Sequence, residues 1–304
     1  MSNTDKYKGI FPAFYACYED NGDISIERTK KLARYFLDKG VNGVYVSGSS
    51  GECIYHSLEE RKAVIKAVCE ELKGKITIIS HVACNNTKDS MELAAFAQEC
   101  GSDAIAAIPP IYFKLPDYAI AKYWNDISLA APDTDFIIYN IPQLAGVSLT
   151  QSLLKEMYKN PRVVGVKNSS MPVQDIQIFK SVGGHDKVVF NGPDEQLISG
   201  LAIGADGGIG GTYGAVPEAY LAIYDLVKNG ELEKALTIQN KANELIYKMC
   251  SCTGNMYGVI KEILRREENI DIGGVRSPLY SLVESDYAII EECCRLVREL
   301  RELI

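Results

Sequence analysis

The amino-acid sequence predicts an α/β fold: a closed (β/α)8 TIM barrel of parallel strands, followed by a C-terminal extension of about three helices. Three observations carry that prediction. Short apolar runs alternate with longer amphipathic segments eight times before Gly230, and strands that alternate with helices in this way pair in parallel. Eight such units close into a barrel more readily than they spread into an open sheet. Beyond Gly230 the short apolar runs stop and only helical periodicity remains.

In chain order, GIFPAFYACY precedes ISIERTKKLARYFLDKG, GVYVSG precedes SLEERKAVIKAVCEELKG, TIISHVA precedes TKDSMELAAFAQECG, and AIAAIPP precedes PDYAIAKYWNDISLAA. FIIYNIP and VVGVK, with LTQSLLKEMYKN between them, read as the fifth and sixth strands. VVFNG is the seventh, before DEQLISGLAIG, and the glycine-rich GGIGG the eighth, before VPEAYLAIYDLVKNG. Ser57 with Glu60 three residues on fits a capping box, and Thr87 and Ser148 are weaker start signals of the same kind. Gly40, Gly74 and Gly101 each close a helical run. Residues 1–230 are thus expected to form the barrel. Residues 231–304 hold three amphipathic helices, ELEKALTIQNKANELIYKMC, NMYGVIKEILRREEN and ESDYAIIEECCRLVRELREL, too few for a large independent domain and expected to pack on the barrel as one structural unit.

Composition narrows the function. Of 304 residues 47% are apolar, enough for a large core, and the net charge of −8 argues against nucleic acid, whose binders carry basic footprints. The opening MSNTDKYKG has no signal-peptide core, and no apolar run approaches the roughly 20 residues that span a bilayer. The expectation is a cytoplasmic protein with no membrane partner. The nine cysteines are odd in number and match no zinc or redox spacing, so they read as reduced, mostly buried thiols. His56, His81 and His185 sit in no metal-ligand pattern and offer no obvious histidine for a serine–histidine–carboxylate triad.

The chemistry concentrates between Phe136 and Ser170, where FIIYN and VVGVK flank a helix. A strand–helix–strand unit brings Tyr139 and Lys167 to the same end of two neighbouring strands. At pH 7 only about one lysine in 2500 is a free amine, and lowering the pKa to about 7 takes roughly 4.6 kcal/mol. Burial can supply such a shift, giving an amine able to form a Schiff base with a ketone. For this unit taken alone, a strand-end lysine reaching to water fits as well. Other strand ends add Gly48-Ser49-Ser50-Gly51-Glu52, Pro109-Pro110-Ile111-Tyr112 and Gly192-Pro193-Asp194-Glu195. GSSGE reads either as a tight turn or as an anion pocket built from hydroxyls and backbone N–H groups. GPDE reads as a helix start or as a set of polar acceptors. GADGGIGGTYG lacks the G-x-G-x-x-G spacing of a dinucleotide loop.

The joint occurrence of GSSGE, YNIPQLAGV, GVKNSS and GPDEQLISGLAIGADGGIGGTY, in that order, resembles the pyruvate-dependent class I aldolases of the N-acetylneuraminate lyase and dihydrodipicolinate synthase type. The resemblance covers essentially the whole chain and is nearer to the lyases. It implies that Lys167 is the Schiff-base lysine and Tyr139 the proton-transfer group, with Ser49 and Tyr112 as candidates for a proton relay. It implies that Ser49 and Ser50 hold a 2-oxo-acid carboxylate, that Ser169 lies near the substrate, and that Gly192, Asp194 and Glu195 meet a polyhydroxylated tail. Gly211 stands where lyases often carry a serine contacting the sugar, and Tyr112 where the family places a tyrosine reaching a neighbouring subunit. The implied activity is reversible cleavage of a sialic acid to pyruvate and an N-acylated sugar, without metal or organic cofactor, by a homotetramer. A 2-keto-3-deoxy sugar acid aldolase, a dihydrodipicolinate synthase and a non-catalytic 2-oxo-acid-binding barrel are the competing readings.

Overall fold

A computed structural model describes residues 4–304; Met1, Ser2 and Asn3, the start of the opening stretch, lie outside the described residues. The strands are β1 (Gly9–Pro12), β2 (Gly43–Val46), β3 (Thr77–His81), β4 (Ala104–Ala107), β5 (Asp135–Asn140), β6 (Val163–Asn168), β7 (Val188–Asn191) and β8 (Gly207–Gly210). The helices are α1 (Ile26–Asp38), α2 (Leu58–Leu72), α3 (Thr87–Cys100), α4 (Asp117–Ala130), α5 (Pro142–Ala145), α6 (Gln151–Met157), α7 (Gln174–Gly183), α8 (Leu197–Ala202), α9 (Pro217–Lys228), α10 (Leu232–Cys250), α11 (Met256–Glu268) and α12 (Asp286–Glu302). The sequence reading placed all eight strands; it had not delimited α7, and α5 is a single turn after the Ile141-Pro142 step.

The strands pair in parallel in the order β1-β8-β7-β6-β5-β4-β3-β2. The circle closes where Ala13 bridges Tyr45, with the Phe14 N–H donating to the Tyr45 carbonyl at 2.8 Å and the Asn42 N–H to the Ile10 carbonyl at 3.1 Å. The barrel is the TIM barrel expected, with helices outside. Its interior is a packed cluster including Tyr7, Phe11, Tyr45, Ile79, Ile137, Tyr139, Val164 and Phe190. A second, larger apolar layer joins the outer faces of the strands to the helices, and it includes Ile238, Leu245, Val259, Ile263, Cys293 and Val297 from α10, α11 and α12.

Local signals resolve as follows. The capping box at Ser57 is complete, the hydroxyl accepting from Glu60 N–H and the Glu60 carboxylate accepting from Ser57 N–H. The start of α3 is capped one residue earlier than expected, by Asn86, whose side chain accepts from Asp89 N–H at 2.8 Å; Thr87 is the first helical residue. The cap of α6 is Thr150 rather than Ser148, because Leu149 N–H is drawn to the Asn140 side chain and the helix begins only beyond it. Gly40, Gly74 and Gly101 all adopt positive φ at helix ends. The cysteines are free but less buried than expected: Cys17, Cys69, Cys293 and Cys294 are buried, four are half-buried, and Cys250 is exposed at the rim of a cavity. No helix is long and apolar enough to cross a membrane among the described residues.

Candidate active site

Lys167 faces the barrel interior only because β6 carries a bulge. Along β5 the pleat alternates regularly, Phe136 and Ile138 packing outward against the helices and Ile137 and Tyr139 inward. β6 starts in step, with Val163 outward and Val164 inward. The register then slips by one residue: Phe136 pairs with Val163 but Ile137 pairs with Gly165. Val166 therefore points outward, and Lys167 lies directly across from Tyr139. Without the slip, strict alternation would aim Lys167 at the helical layer, since one residue of shift exchanges the faces. Gly165 permits the close strand approach; a Cβ there would sit 2.2 Å from the Val188 carbonyl oxygen.

Lys167 is 5% exposed. Its Nζ lies 3.9 Å from the centroid of the Tyr139 ring and 4.2 Å from that of Tyr45. Burial pulls its pKa from 10.5 to about 7, against weaker opposing pulls from Asp194 and Cys53. Tyr139 is pushed in the other direction, to about 12, by burial; hydrogen bonds with the hydroxyls of Ser169 and Ser49 hold it back from rising further. At neutral pH about half of the Lys167 population is the free amine, beside a protonated phenol. His81, whose ring centroid lies 6.0 Å from that of Tyr139, is held well below the usual imidazole range by burial and by Arg61, so it adds no cation.

The loop after β2 turns tightly, with Gly51 N–H donating to Gly48 C=O at 3.1 Å and Glu52 N–H to Ser49 C=O at 3.0 Å. It presents Ser49 and Ser50 to a cavity of about 370 Å³ that also takes in Tyr139, Lys167, Ser169, Gly192, Asp194, Glu195 and Gly211. Gly192 is required by close packing, because a Cβ there would fall 2.1 Å from Ser169 Oγ and 2.6 Å from the Asn168 carbonyl oxygen. Asp194 is half committed: its Oδ2 accepts from Thr212 N–H and Oγ1, both at 2.6 Å, while Oδ1 is buried without a partner. Burial raises the Asp194 carboxyl to about 6. A Cβ on Gly211 would sit 3.2 Å from Ser50 Oγ and 3.9 Å from Tyr257 Cε1. Among the described residues Lys167 is the only basic side chain lining the cavity.

One sequence-predicted residue is not brought to this cavity by its own chain. Tyr112 is 91% exposed, with φ 85°, its ring edge-on to Phe113 at 5.0 Å. Conversely, Thr212, Tyr257 and Tyr45 were not singled out from the sequence. Thr212 directly follows Gly211 and could have been found as the next polar residue after β8. Tyr257 sits on a helix far along the chain, and Tyr45 reads as an ordinary strand aromatic; neither carries a local signal.

Fold and cavity define a (β/α)8 barrel with a desolvated lysine at the C-terminal end of β6, in a pocket lined by hydroxyls and carboxylates. Residues 6–295 match the Dihydrodipicolinate synthetase family, and the chain belongs to it. It is 60% identical over 302 residues to the N-acetylneuraminate lyase of Mediterraneibacter gnavus, covering 99% of this chain and 96% of that one. A solved Ruminococcus gnavus sialic acid aldolase, described as a catalytic lysine mutant, superposes with a TM-score of 0.98 at 59% identity, covering 99% of each chain. CdNal from Clostridium difficile, solved in complex with mannosamine, gives 0.90 at 30% identity, covering 95% of this chain and 98% of that one.

Proposed function

We propose that this chain is a class I aldolase that cleaves N-acetylneuraminate reversibly to pyruvate and N-acetylmannosamine through an imine on Lys167. The observation that carries the reading is the Lys167–Tyr139 pair: a buried amine with pKa about 7, 3.9 Å from the ring of a phenol held at about 12. The relatives named above as N-acetylneuraminate lyase and sialic acid aldolase supply the substrate.

In this reading Lys167 attacks the C2 ketone of the open-chain sugar acid, whose carboxylate rests on Ser49 and Ser50. Tyr139 gives its proton to the hydroxyl that leaves the carbinolamine as water. The resulting tyrosinate is stabilised by the adjacent iminium charge. It takes the C4 hydroxyl proton, the C3–C4 bond breaks, and its electron pair passes into the iminium to give the enamine. The restored Tyr139 phenol protonates C3 of the enamine, and water, deprotonated by the same oxygen, hydrolyses the imine to pyruvate and free Lys167. The proton that passes from nitrogen to oxygen as the carbinolamine forms returns to nitrogen when it collapses at the end, the other transfers close on Tyr139, and Ser49 and Ser169 steady its hydroxyl. Gly192, Asp194 and Glu195 meet the polyhydroxyl tail. Among the described residues no arginine and no second lysine lines the cavity, so a second substrate bearing its own carboxylate finds no cationic partner, which speaks against a dihydrodipicolinate synthase.

The same reading makes the barrel and the extension one working unit, in the cytoplasm, assembled as a homotetramer of tight dimers in which Tyr112 reaches a neighbour's site. Its support is Tyr112 itself: an aromatic residue in a left-handed conformation, exposed beside Phe113 at 71% and Tyr118 at 79%. The test is pyruvate release from N-acetylneuraminate against 2-keto-3-deoxygluconate, with borohydride reduction in the presence of pyruvate. The expected results are preference for the first substrate and a stable label on the peptide holding Lys167. Preference for the second substrate would overturn the substrate assignment; a label on another lysine would overturn the mechanism.

A further inference from the structure

The loop that carries Ser49 and Ser50 is bounded by two strained residues. Ser47 has φ 57° and Glu52 φ 50°, conformations that non-glycine residues rarely adopt and that persist only when their surroundings hold them. Glycine would suit position 52 at lower conformational cost, yet a glutamate stands there, and it is buried with its side chain 0% exposed. Its Oε1 accepts from Lys261 Nζ at 2.8 Å. Its Oε2 accepts from Tyr18 hydroxyl at 3.0 Å and from Arg276 N–H at 2.9 Å. Lys261 is itself 2% exposed and also donates to the Gly274 carbonyl.

Lys261 belongs to α11, and so does Tyr257, four residues earlier and hence on the same helix face. Tyr257 is half-buried, lines the cavity and hydrogen-bonds the Ser50 hydroxyl. One face of a C-terminal helix thus grips the barrel loop at two points, Ser50 within the turn and Glu52 at its end. The segment after α11 adds Arg276 N–H on the same carboxylate and the Ile272 carbonyl, which accepts from Tyr18 N–H at 3.0 Å. The loop's own turn bonds, Gly51 N–H to Gly48 C=O and Glu52 N–H to Ser49 C=O, are thus reinforced by residues more than 200 positions away.

We propose that Lys261 and Tyr257 of α11 are positioning residues for carboxylate recognition, holding the Ser49–Glu52 turn in the strained shape that receives the 2-oxo-acid carboxylate; this rests on the reading of Lys167 and Ser49–Ser50 given above. Neither residue acts on the ketone in this role. Their loss therefore weakens binding of a ketone that bears a carboxylate, and leaves imine formation with a ketone that lacks one nearly untouched.

The test uses the full-length chain and borohydride trapping as a function of ketone concentration, with pyruvate and hydroxyacetone as the two probes. Lys261→Met should raise the half-saturating pyruvate concentration about tenfold to a hundredfold, the range set by loss of one hydrogen bond to a charged group. Half-saturation by hydroxyacetone should move by less than about twofold. Lys261→Arg, which keeps the charge, should recover most of the pyruvate affinity. Tyr257→Phe should give a smaller change in the same ratio, about two- to tenfold, and it carries the test by itself where Lys261→Met does not fold. Equal shifts for both ketones, or none for either, would overturn the proposal. Absence of any pyruvate label in the unsubstituted protein would instead overturn the reading of Lys167 on which it rests.

Discussion

Replacing Lys167 by methionine should stabilise the fold while abolishing activity, and the stabilisation should depend on pH. The side chain is 5% exposed, and burial lowers its pKa from 10.5 to about 7. Between those values the unfolded chain binds more protons at this lysine than the folded chain does, so stability rises with pH across the window. Below pH 7 the full cost is present; at 1.36 kcal/mol per pH unit the drop amounts to about 5 kcal/mol. At pH 9 about 2 kcal/mol remains. Contact with the Tyr139 and Tyr45 rings returns part of this, so about 5 kcal/mol is an upper figure. Methionine keeps the unbranched shape and packs well on aromatic faces. Asp194, raised to about 6, is about half neutral at pH 6, and at pH 9, where it is ionised, the folded lysine it faces is already neutral. The measurement is urea unfolding of both proteins at pH 6 and pH 9 at equal protomer concentration. The variant's advantage should shrink by about 2–3 kcal/mol between the two conditions. An equal advantage at both pH values, or a variant less stable at pH 6, would refute the claim that desolvation supplies the free amine.

Three further outcomes follow from the geometry. Asp194→Asn removes the carboxylate that opposes the lowering of the Lys167 pKa, so the acidic limb of pyruvate trapping should move to lower pH; the amide must still serve Thr212 and leaves an NH2 at the buried, unpaired Oδ1 position, so kcat/KM for the full sugar acid should fall about tenfold or more. Gly211→Ser places a Cβ 3.2 Å from Ser50 Oγ, a contact relieved by a small shift of that hydroxyl, so the Michaelis constant should change by less than about tenfold in steady-state assays. Tyr112→Phe should lower turnover without changing the sedimentation coefficient, and a fully active monomer would remove the shared-site idea.

The eightfold alternation, the strand ends and the residues on them were legible in the sequence because period-2 and period-3.6 patterns are local properties. Tyr139, Lys167, Ser49, Ser50, Ser169, Gly192, Asp194, Glu195 and Gly211 all reach one cavity, since in a parallel barrel every strand delivers its C-terminal end to the same face. The direction in which Lys167 points was not legible: it depends on a one-residue slip at Gly165 that only pairing with β5 and packing against β7 reveals. Nor was the division of Asp194 between Thr212 and the cavity, or the grip of Tyr257 and Lys261 on the serine loop. Those features join residues that lie far apart in the chain, and no spacing rule relates them. The sequence by itself determined which side chains stand at the barrel mouth; the tertiary structure decided which are desolvated, which are already bonded, and which shape the loop holds, because burial and hydrogen-bond saturation depend on what the rest of the chain packs against each group.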